Sequence, residues 1–228
     1  MGANDHNPHR RKPIVLATAN PHKVRELVEI LAPVGLPILD LSRLSTGTPP
    51  EPAETGRTFA ENAAIKAVTY ARATGHLCLA DDSGLEVDAL GGRPGVISSH
   101  YSTDGRETGL SRSERDLANN QRLMLELEGI EPRRRTARFV CCMCLAAPDG
   151  RILATSRGTL DGWIGVPPRV PSGSNGFGYD PLFMVGSPEA GNGVTSAELT
   201  PAEKNARSHR GAAARQIAAA LPELINES

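Results

Sequence analysis

Residues 77–84 read Leu-Cys-Leu-Ala-Asp-Asp-Ser-Gly, an apolar strand that meets two adjacent carboxylates, Asp81 and Asp82, and then Ser-Gly turn chemistry. Two negative charges side by side at a strand end repel each other and lose part of their hydration, so a positive group has to stand nearby. With Glu51 and Glu54 of the preceding loop, the pair has the hard oxygen ligands that hold Mg²⁺ through one or two carboxylates and leave room for water and phosphate. The plainer reading, an acid capping the turn that Asp-Ser-Gly favours, stays open at this point.

Three further constellations carry chemistry-bearing residues. In Thr18-Ala19-Asn20-Pro21-His22-Lys23, a cation stands in the first turn of an expected helix, where the helix dipole disfavours it. An anion bridging Lys23, His22 and Arg25 explains that placement, and a solvated surface lysine is the alternative. The paired glycines of a Walker loop are missing. Residues 173–180, Gly-Ser-Asn-Gly-Phe-Gly-Tyr-Asp, set Phe177 and Tyr179 among glycines in a chain with only 4% aromatic residues. Such a loop suits a flat ligand stacking on an aromatic, or a loop plugged by core residues. Lys204, Arg207, His209 and Arg210 gather positive charge near helix ends, the usual composition of a solvated face. Lys66 lies four residues after Asn62 and shares its helix face.

Local signals set out the elements that must position these groups. A short strand at 13–18 runs into a helix capped by Asn20 with Pro21 at its first position. Residues 33–57 are rich in Pro, Gly, Thr and Glu and read as one long polar loop. Thr58 and Glu61 form a capping box for a helix that stops at Gly75. The strand 77–80 ends at the acids, and Leu85–Leu90 follows as a separate apolar segment. A helix starts near Ser111 and ends by Gly129, two long strands flank the turn Pro148-Asp149-Gly150, and a basic stretch at 132–138 reads as a solvated strand entry. Thr200 and Glu203 repeat the capping box with Pro201 at the first helical position, and an Ala-rich helix closes the chain.

At 228 residues, with 39% hydrophobic and 22% charged residues, the chain suits one α/β folding unit. A net charge of −1 argues against a protein that grips nucleic acid by its phosphates. No stretch reaches the length of a membrane span, and residues 1–12 have no apolar run after their charges, so they read as a flexible tail ahead of a domain at 13–228. Cys78, Cys141, Cys142 and Cys144 do not fall at metal-site spacing and read as buried, reduced side chains, fitting a cytoplasmic location.

Taken in order, Thr18–Lys23, Thr58–Ala67, Asp81–Gly95, Gly176–Phe183 and Leu199–Gly211 closely resemble the inosine triphosphate pyrophosphatase family, with the match running from about residue 13 to 221. The resemblance implies an α/β fold, a long bent mixed sheet flanked by helices with two lobes around a central cleft, and a homodimer. It also implies Mg²⁺-dependent hydrolysis of non-canonical purine nucleoside triphosphates (ITP, dITP, XTP) to the monophosphate and pyrophosphate. By motif position, Thr18, Ala19, Asn20, Pro21, His22 and Lys23 would hold the triphosphate. Asp82 would be the catalytic base acting on a Mg²⁺-bound water, with Glu54 as the second metal carboxylate and Asp81 and Lys66 in support. Ser83 would touch substrate, Phe177, Gly178, Tyr179 and Asp180 would line the base pocket, and Lys204, His209 and Arg210 would read the base and phosphates. Asn175 departs from the small residue usual in the family. A pyrophosphatase for modified pyrimidine or methylated nucleotides, and a nucleotide-binding module without catalysis, are the competing readings.

Overall fold

The computed structural model describes residues 13–44, 47–188 and 193–226; the tail expected at 1–12 lies outside them. Six strands form one mixed sheet: β1 (Ile14–Leu16), β2 (Ile38–Asp40), β3 (Leu77–Val87), β4 (Thr136–Ala146), β5 (Ile152–Ile164) and β6 (Phe183–Val185), in the order β2-β1-β3-β4-β5-β6. β1 runs parallel to β2 and β3, and the remaining neighbours are antiparallel. The helices are α1 (Pro21–Leu31), α2 (Phe59–Thr74), α3 (Arg112–Glu126), α4 (Pro201–Arg207) and α5 (His209–Asn226).

Alternation along the strands sorts side chains to the two sheet faces. Val15, Cys78, Ala80, Val140, Cys142 and Cys144 pack with α2, through Phe59, Ala63, Ala67 and Tyr70. Ile14, Leu16, Leu77, Leu79, Cys141 and Met143 pack on the other face with Leu27 and Leu31 of α1 and Ala213, Ile217 and Leu221 of α5. A third core joins Leu123 of α3 to Phe139, Trp163, Tyr179 and Phe183. All four cysteines are buried and free, as small apolar side chains would be.

Local chemistry accounts for the helix starts. Thr58 with Glu61, Ser111 with Glu114 and Thr200 with Glu203 each close a capping box, and Asn20 accepts the His22 amide at 3.0 Å.

Three expectations need correction. β3 does not end at the acids: it continues through Asp81, Asp82, Ser83 and Gly84 to Val87, with Asp82 opposite Cys142 and Gly84 opposite Val140. The ladder with β4 overrides the local turn preference of Asp-Ser-Gly, and Leu85–Val87 belongs to the same strand. Glycine is needed at 84 because a Cβ there would meet the Gly95 carbonyl oxygen at 2.8 Å, at the start of the kinked 3₁₀ segment Gly95–Thr103. The stretch 33–57 is not all loop, since Ile38–Asp40 adds an edge strand whose three residues are held by parallel pairing to β1. Finally, Arg135 in the basic stretch is buried, donating to the carbonyls of Ile130, Leu127 and Gly165 at 2.9, 2.7 and 3.2 Å, and ties the strand entry to the end of α3.

Candidate active site

The parity of β3 decides the partners of the two acids. Asp82 continues the row of Cys78 and Ala80 and points toward α2, while Asp81 continues the row of Leu77 and Leu79 and points toward α1 and α5. Adjacent in sequence, they are therefore neutralised from opposite faces of the sheet.

Lys66 projects from the buried face of α2 and places Nζ 3.0 Å from Asp82 Oδ1 and 3.0 Å from Glu54 Oε1. Asn62, one turn earlier on that face, donates to Asp82 Oδ2 at 3.3 Å. Burial opposes the charge on Lys66, yet the carboxylates of Asp82, Asp81 and Glu54 outweigh it and hold its pKa above the ordinary lysine value. Asp82 is pushed the other way from most paired acids: burial raises its pKa, and the nearby Glu54 charge adds to that against the pull of Lys66.

Asp81 is fully buried. Lys23 Nζ lies 2.9 Å from its Oδ2, and Arg210 reaches the same oxygen through Nε and Nη2, each at 3.3 Å. Burial alone would raise the Asp81 pKa, but Lys23 and Arg210 overcome it and hold the carboxyl well below the usual carboxylate range. Lys23 in the first turn of α1 thus has a carboxylate for partner, which explains its place against the helix dipole. Arg210, 2% exposed, also donates Nη1 to Glu26 at 2.6 Å and Nη2 to Ser83 at 2.9 Å. It fastens α1, β3 and α5 together.

These groups open on a cleft of about 410 Å³, lined by Thr18–Pro21 and Lys23 of the β1–α1 turn, by Glu54, Lys66, Asp82 and Ser83, by Phe177–Asp180, and by Lys204, His209 and Arg210. That volume lies in the usual range for small-molecule sites. His22 does not line the cleft; its ring stands 5.4 Å from that of Phe177 and its Nδ1 pairs with Arg25 at 2.9 Å. Phe177 is half-buried, with Lys204, Arg112 and Arg210 all near its ring. Tyr179 is buried and donates its hydroxyl to the Ser98 carbonyl at 2.8 Å, and Asp180 accepts from Lys204 Nζ at 2.6 Å and from the Phe177 amide at 2.8 Å. Asn175 donates to the Leu199 carbonyl at 2.9 Å, tying the glycine loop to the segment ahead of α4.

The solvated-face reading of the cationic run does not hold for Lys204, His209 and Arg210, which are all buried. A Cβ on Gly158 of β5 would collide with the His209 carbonyl and the Ala213 amide, so glycine there lets the first turn of α5 press onto the sheet. His209 stacks on Phe139 with ring centroids 5.0 Å apart, and its buried Nδ1 has no hydrogen-bond partner among the described residues. Burial first, then the Arg210 and Lys204 charges, hold its pKa well below the ordinary imidazole value, so it is neutral at pH 7.

A stability dependence follows. Above about pH 6.5 the imidazole is neutral in both folded and unfolded chain; below it the unfolded chain takes up a proton that the folded one refuses. Stability is expected to fall by up to about 1.4 kcal/mol per pH unit as the pH drops from there. Urea titrations between pH 7.5 and 5 check this: the slope should shrink in His209→Phe, and an unchanged slope would assign the acid sensitivity to other groups.

Sequence reasoning passed over several cleft groups. Glu26, behind the cleft lining, partners Arg210, and Arg112, Arg115, Asp116, Ser99, His100 and Glu107 line the cleft. Only the spacing of Arg112, Asp116 and Asn120 on α3 offered a signal, and nothing in the chain says which way that face turns.

A model of the Ham1 family matches residues 14–220, nearly the whole of the described chain. The chain belongs to the Ham1 family. A dITP/XTP pyrophosphatase of Nitratidesulfovibrio vulgaris is 50% identical over 204 residues, covering 90% of this chain and 93% of its own. Among solved Ham1 structures, a HAM1 protein of Coxiella burnetii is 38% identical with a TM-score of 0.76, and the Ham1 protein of Staphylococcus aureus is 34% identical with a TM-score of 0.74; each match covers 93% of this chain and 99% of the other. The family resemblance read from five motifs and the mixed α/β fold are both borne out. No helix among the described residues is long and apolar enough to cross a membrane.

Proposed function

We propose that this Ham1-family chain is a nucleoside triphosphate pyrophosphatase that hydrolyses ITP, dITP and XTP at the α–β phosphoanhydride, releasing the monophosphate and pyrophosphate. The observation that carries the reading is the convergence on one cleft of Asp82 and Glu54 with the cationic β1–α1 turn and a buried imidazole that lacks a partner. The 50% identity to a dITP/XTP pyrophosphatase supports it.

Asp82 and Glu54 suit a hard cation: two carboxylates from separate elements already share one positive group, the Lys66 ammonium, at 3.0 Å each. A Mg²⁺ held by one or two carboxylates takes its remaining ligands from substrate and water. When bound there, Mg²⁺ supplies neutralisation of phosphate oxygen charge and a more acidic water. The chain's own groups do the rest. Asp82 accepts the proton of the attacking water, with Lys66 and Asn62 fixing its two oxygens. Thr18, Asn20 and Lys23 at the N-terminus of α1 hold phosphate oxygens. Asp81 supports them by orienting Lys23. Phe177 stacks on the base, Gly178, Tyr179 and Asp180 shape its pocket, and His209 with Arg210 reads its 6-oxo acceptor, which adenine replaces by an amino donor. Residues 13–228 act as one domain, a homodimer in the cytoplasm is the assembly we favour, and neither nucleic acid nor a membrane is a partner.

Product analysis tests the reading. Purified protein is incubated with dITP, XTP, dGTP and dATP, with Mg²⁺ or with EDTA, and pyrophosphate and orthophosphate are assayed separately. Pyrophosphate from dITP and XTP, abolished by EDTA and scarce from dATP and dGTP, is expected. Orthophosphate alone would place the cut elsewhere in the phosphate chain, and equal turnover of dATP would remove the base reading.

A further inference from the structure

Arg112, Asp116 and Asn120 recur at intervals of four along α3 and share one face of the helix. That face is applied to the glycine-rich loop: Asp116 Oδ2 accepts from the Gly178 amide at 2.9 Å, and Asn120 Nδ2 donates to the Gly178 carbonyl at 3.1 Å. Both polar groups of this residue, whose φ of +62° suits glycine, are held from α3. Phe177, next in the chain, is thereby fixed beside Arg112, whose guanidinium carbon lies 5.6 Å from the ring centroid.

Charge pairing sets Arg112 apart from the other cations of the cleft. Lys23 is paired with Asp81, Lys66 with Asp82 and Glu54, Arg115 with Glu107, Lys204 with Asp180, and Arg210 with Glu26 and Asp81. Among the described residues Arg112 makes no ion pair and no hydrogen bond. The acids near the ring are already engaged: Asp180 with Lys204 and the Phe177 amide, Asp116 with the Gly178 amide, Glu26 with Arg210. A half-buried guanidinium without a counter-charge among the described residues, on the wall of a cleft and against the half-buried ring of Phe177, is placed to meet an anion.

Resting on the reading of Phe177 as the platform for the base, we propose that Arg112 is a specificity-determining residue that favours a negatively charged purine. The 2,6-dioxo base xanthine fits. Its N3–H, beside the 2-carbonyl and conjugated through the fused imidazole ring, gives a delocalised anion, so at neutral pH much of a xanthosine nucleotide carries an anionic base, whereas hypoxanthine, with no 2-oxo group, stays neutral. An anionic base stacked on Phe177 gains a direct charge interaction with Arg112, while a neutral base gains only the weaker attraction of its dipoles. The other cations near the ring, Lys204 and Arg210, have their charge offset by bound carboxylates, so the discrimination falls to α3.

Equilibrium binding of xanthosine and inosine monophosphates to the full chain tests this without requiring turnover. In Arg112→Gln the ratio of xanthosine to inosine affinity is expected to fall about tenfold, and in Arg112→Lys, which keeps the charge, to fall by less than about threefold. The same ratio should move in KM, with kcat following little, when XTP and ITP are hydrolysed. A parallel loss for both nucleotides would assign Arg112 to a part they share, such as phosphate, and overturn the proposal, as would an unchanged ratio. Failure of the wild-type chain to bind either monophosphate overturns it too, by removing the base site. Binding without hydrolysis of XTP or ITP leaves the ratio test standing and overturns the hydrolase reading instead.

Discussion

Replacing Asp82 by Asn is expected to cut pyrophosphate release from dITP by about 10²–10⁴-fold, the usual worth of a positioned general base. The substitution keeps the shape of the side chain and its place opposite Cys142 in the ladder. What changes is the ability of Oδ1 and Oδ2 to take up a proton and to share the Lys66 ammonium with Glu54. Because Glu54 remains to pair with Lys66, the fold should survive, and the loss should fall on kcat rather than on the binding of monophosphate. Steady-state kinetics with a parallel thermal melt decide the matter. Activity within tenfold of wild type, in a protein that melts normally, would remove Asp82 from the chemistry and redirect attention to Glu54.

The second large effect concerns stability. Arg210→Met is expected to cost about 3–5 kcal/mol, the range found when one partner of a buried ion pair is removed. The guanidinium is the shared counter-charge of Asp81 and Glu26 and also donates to Ser83, at distances of 2.6–3.3 Å. Without it, Asp81 keeps Lys23 at 2.9 Å and the weaker donors Ser83 Oγ at 3.4 Å and Cys141 Sγ at 3.8 Å, and among the described residues Glu26 keeps only the longer contact to Lys204 at 3.9 Å. Methionine fills the space of the stem but offers neither charge nor donor. Denaturant unfolding at pH 7 measures the loss, and Asp81→Asn combined with Arg210→Met should recover part of it by removing the stranded charge. A cost under about 1 kcal/mol for Arg210→Met would mean that water reaches Asp81 and that the network is far less dry than its burial indicates.

The two expectations separate the roles of neighbouring carboxylates. Asp82 faces α2 and the cleft, where burial and the Glu54 charge raise its pKa against the pull of Lys66. Asp81 faces α1 and α5, where two cations hold it ionised and it joins elements distant in sequence. One strand carries both because successive residues of β3 alternate between faces.

How much of this was legible beforehand depends on how local the deciding interaction is. The capping boxes at Thr58 and Thr200, the Asn20 cap with Pro21, and the β4–β5 hairpin are made by residues within a few positions of each other, and they formed where the sequence indicated. The five motifs, read in order, also identified the family. Asn62 and Lys66 at one helical turn correctly shared a face, because helix geometry alone requires it.

Tertiary structure decided the remainder. Whether Asp81-Asp82-Ser83-Gly84 turned or continued rested on β4, more than fifty residues later, whose ladder supplied hydrogen bonds that no local turn could match. The edge strand Ile38–Asp40 was too short to signal itself and exists through parallel pairing with β1. Lys204, His209 and Arg210 carry the composition of a solvated surface, yet they are buried because Asp180, Glu26 and Asp81, brought from three other elements, neutralise the two cations, while His209 sheds its charge. Sequence by itself determined which residues were chemically equipped and where helices begin, since both are set within a turn or two of chain. Which charges meet, which stay unpaired and which face the cleft were set by the packing of distant segments, because a charge is tolerated inside a protein only where the fold delivers its partner.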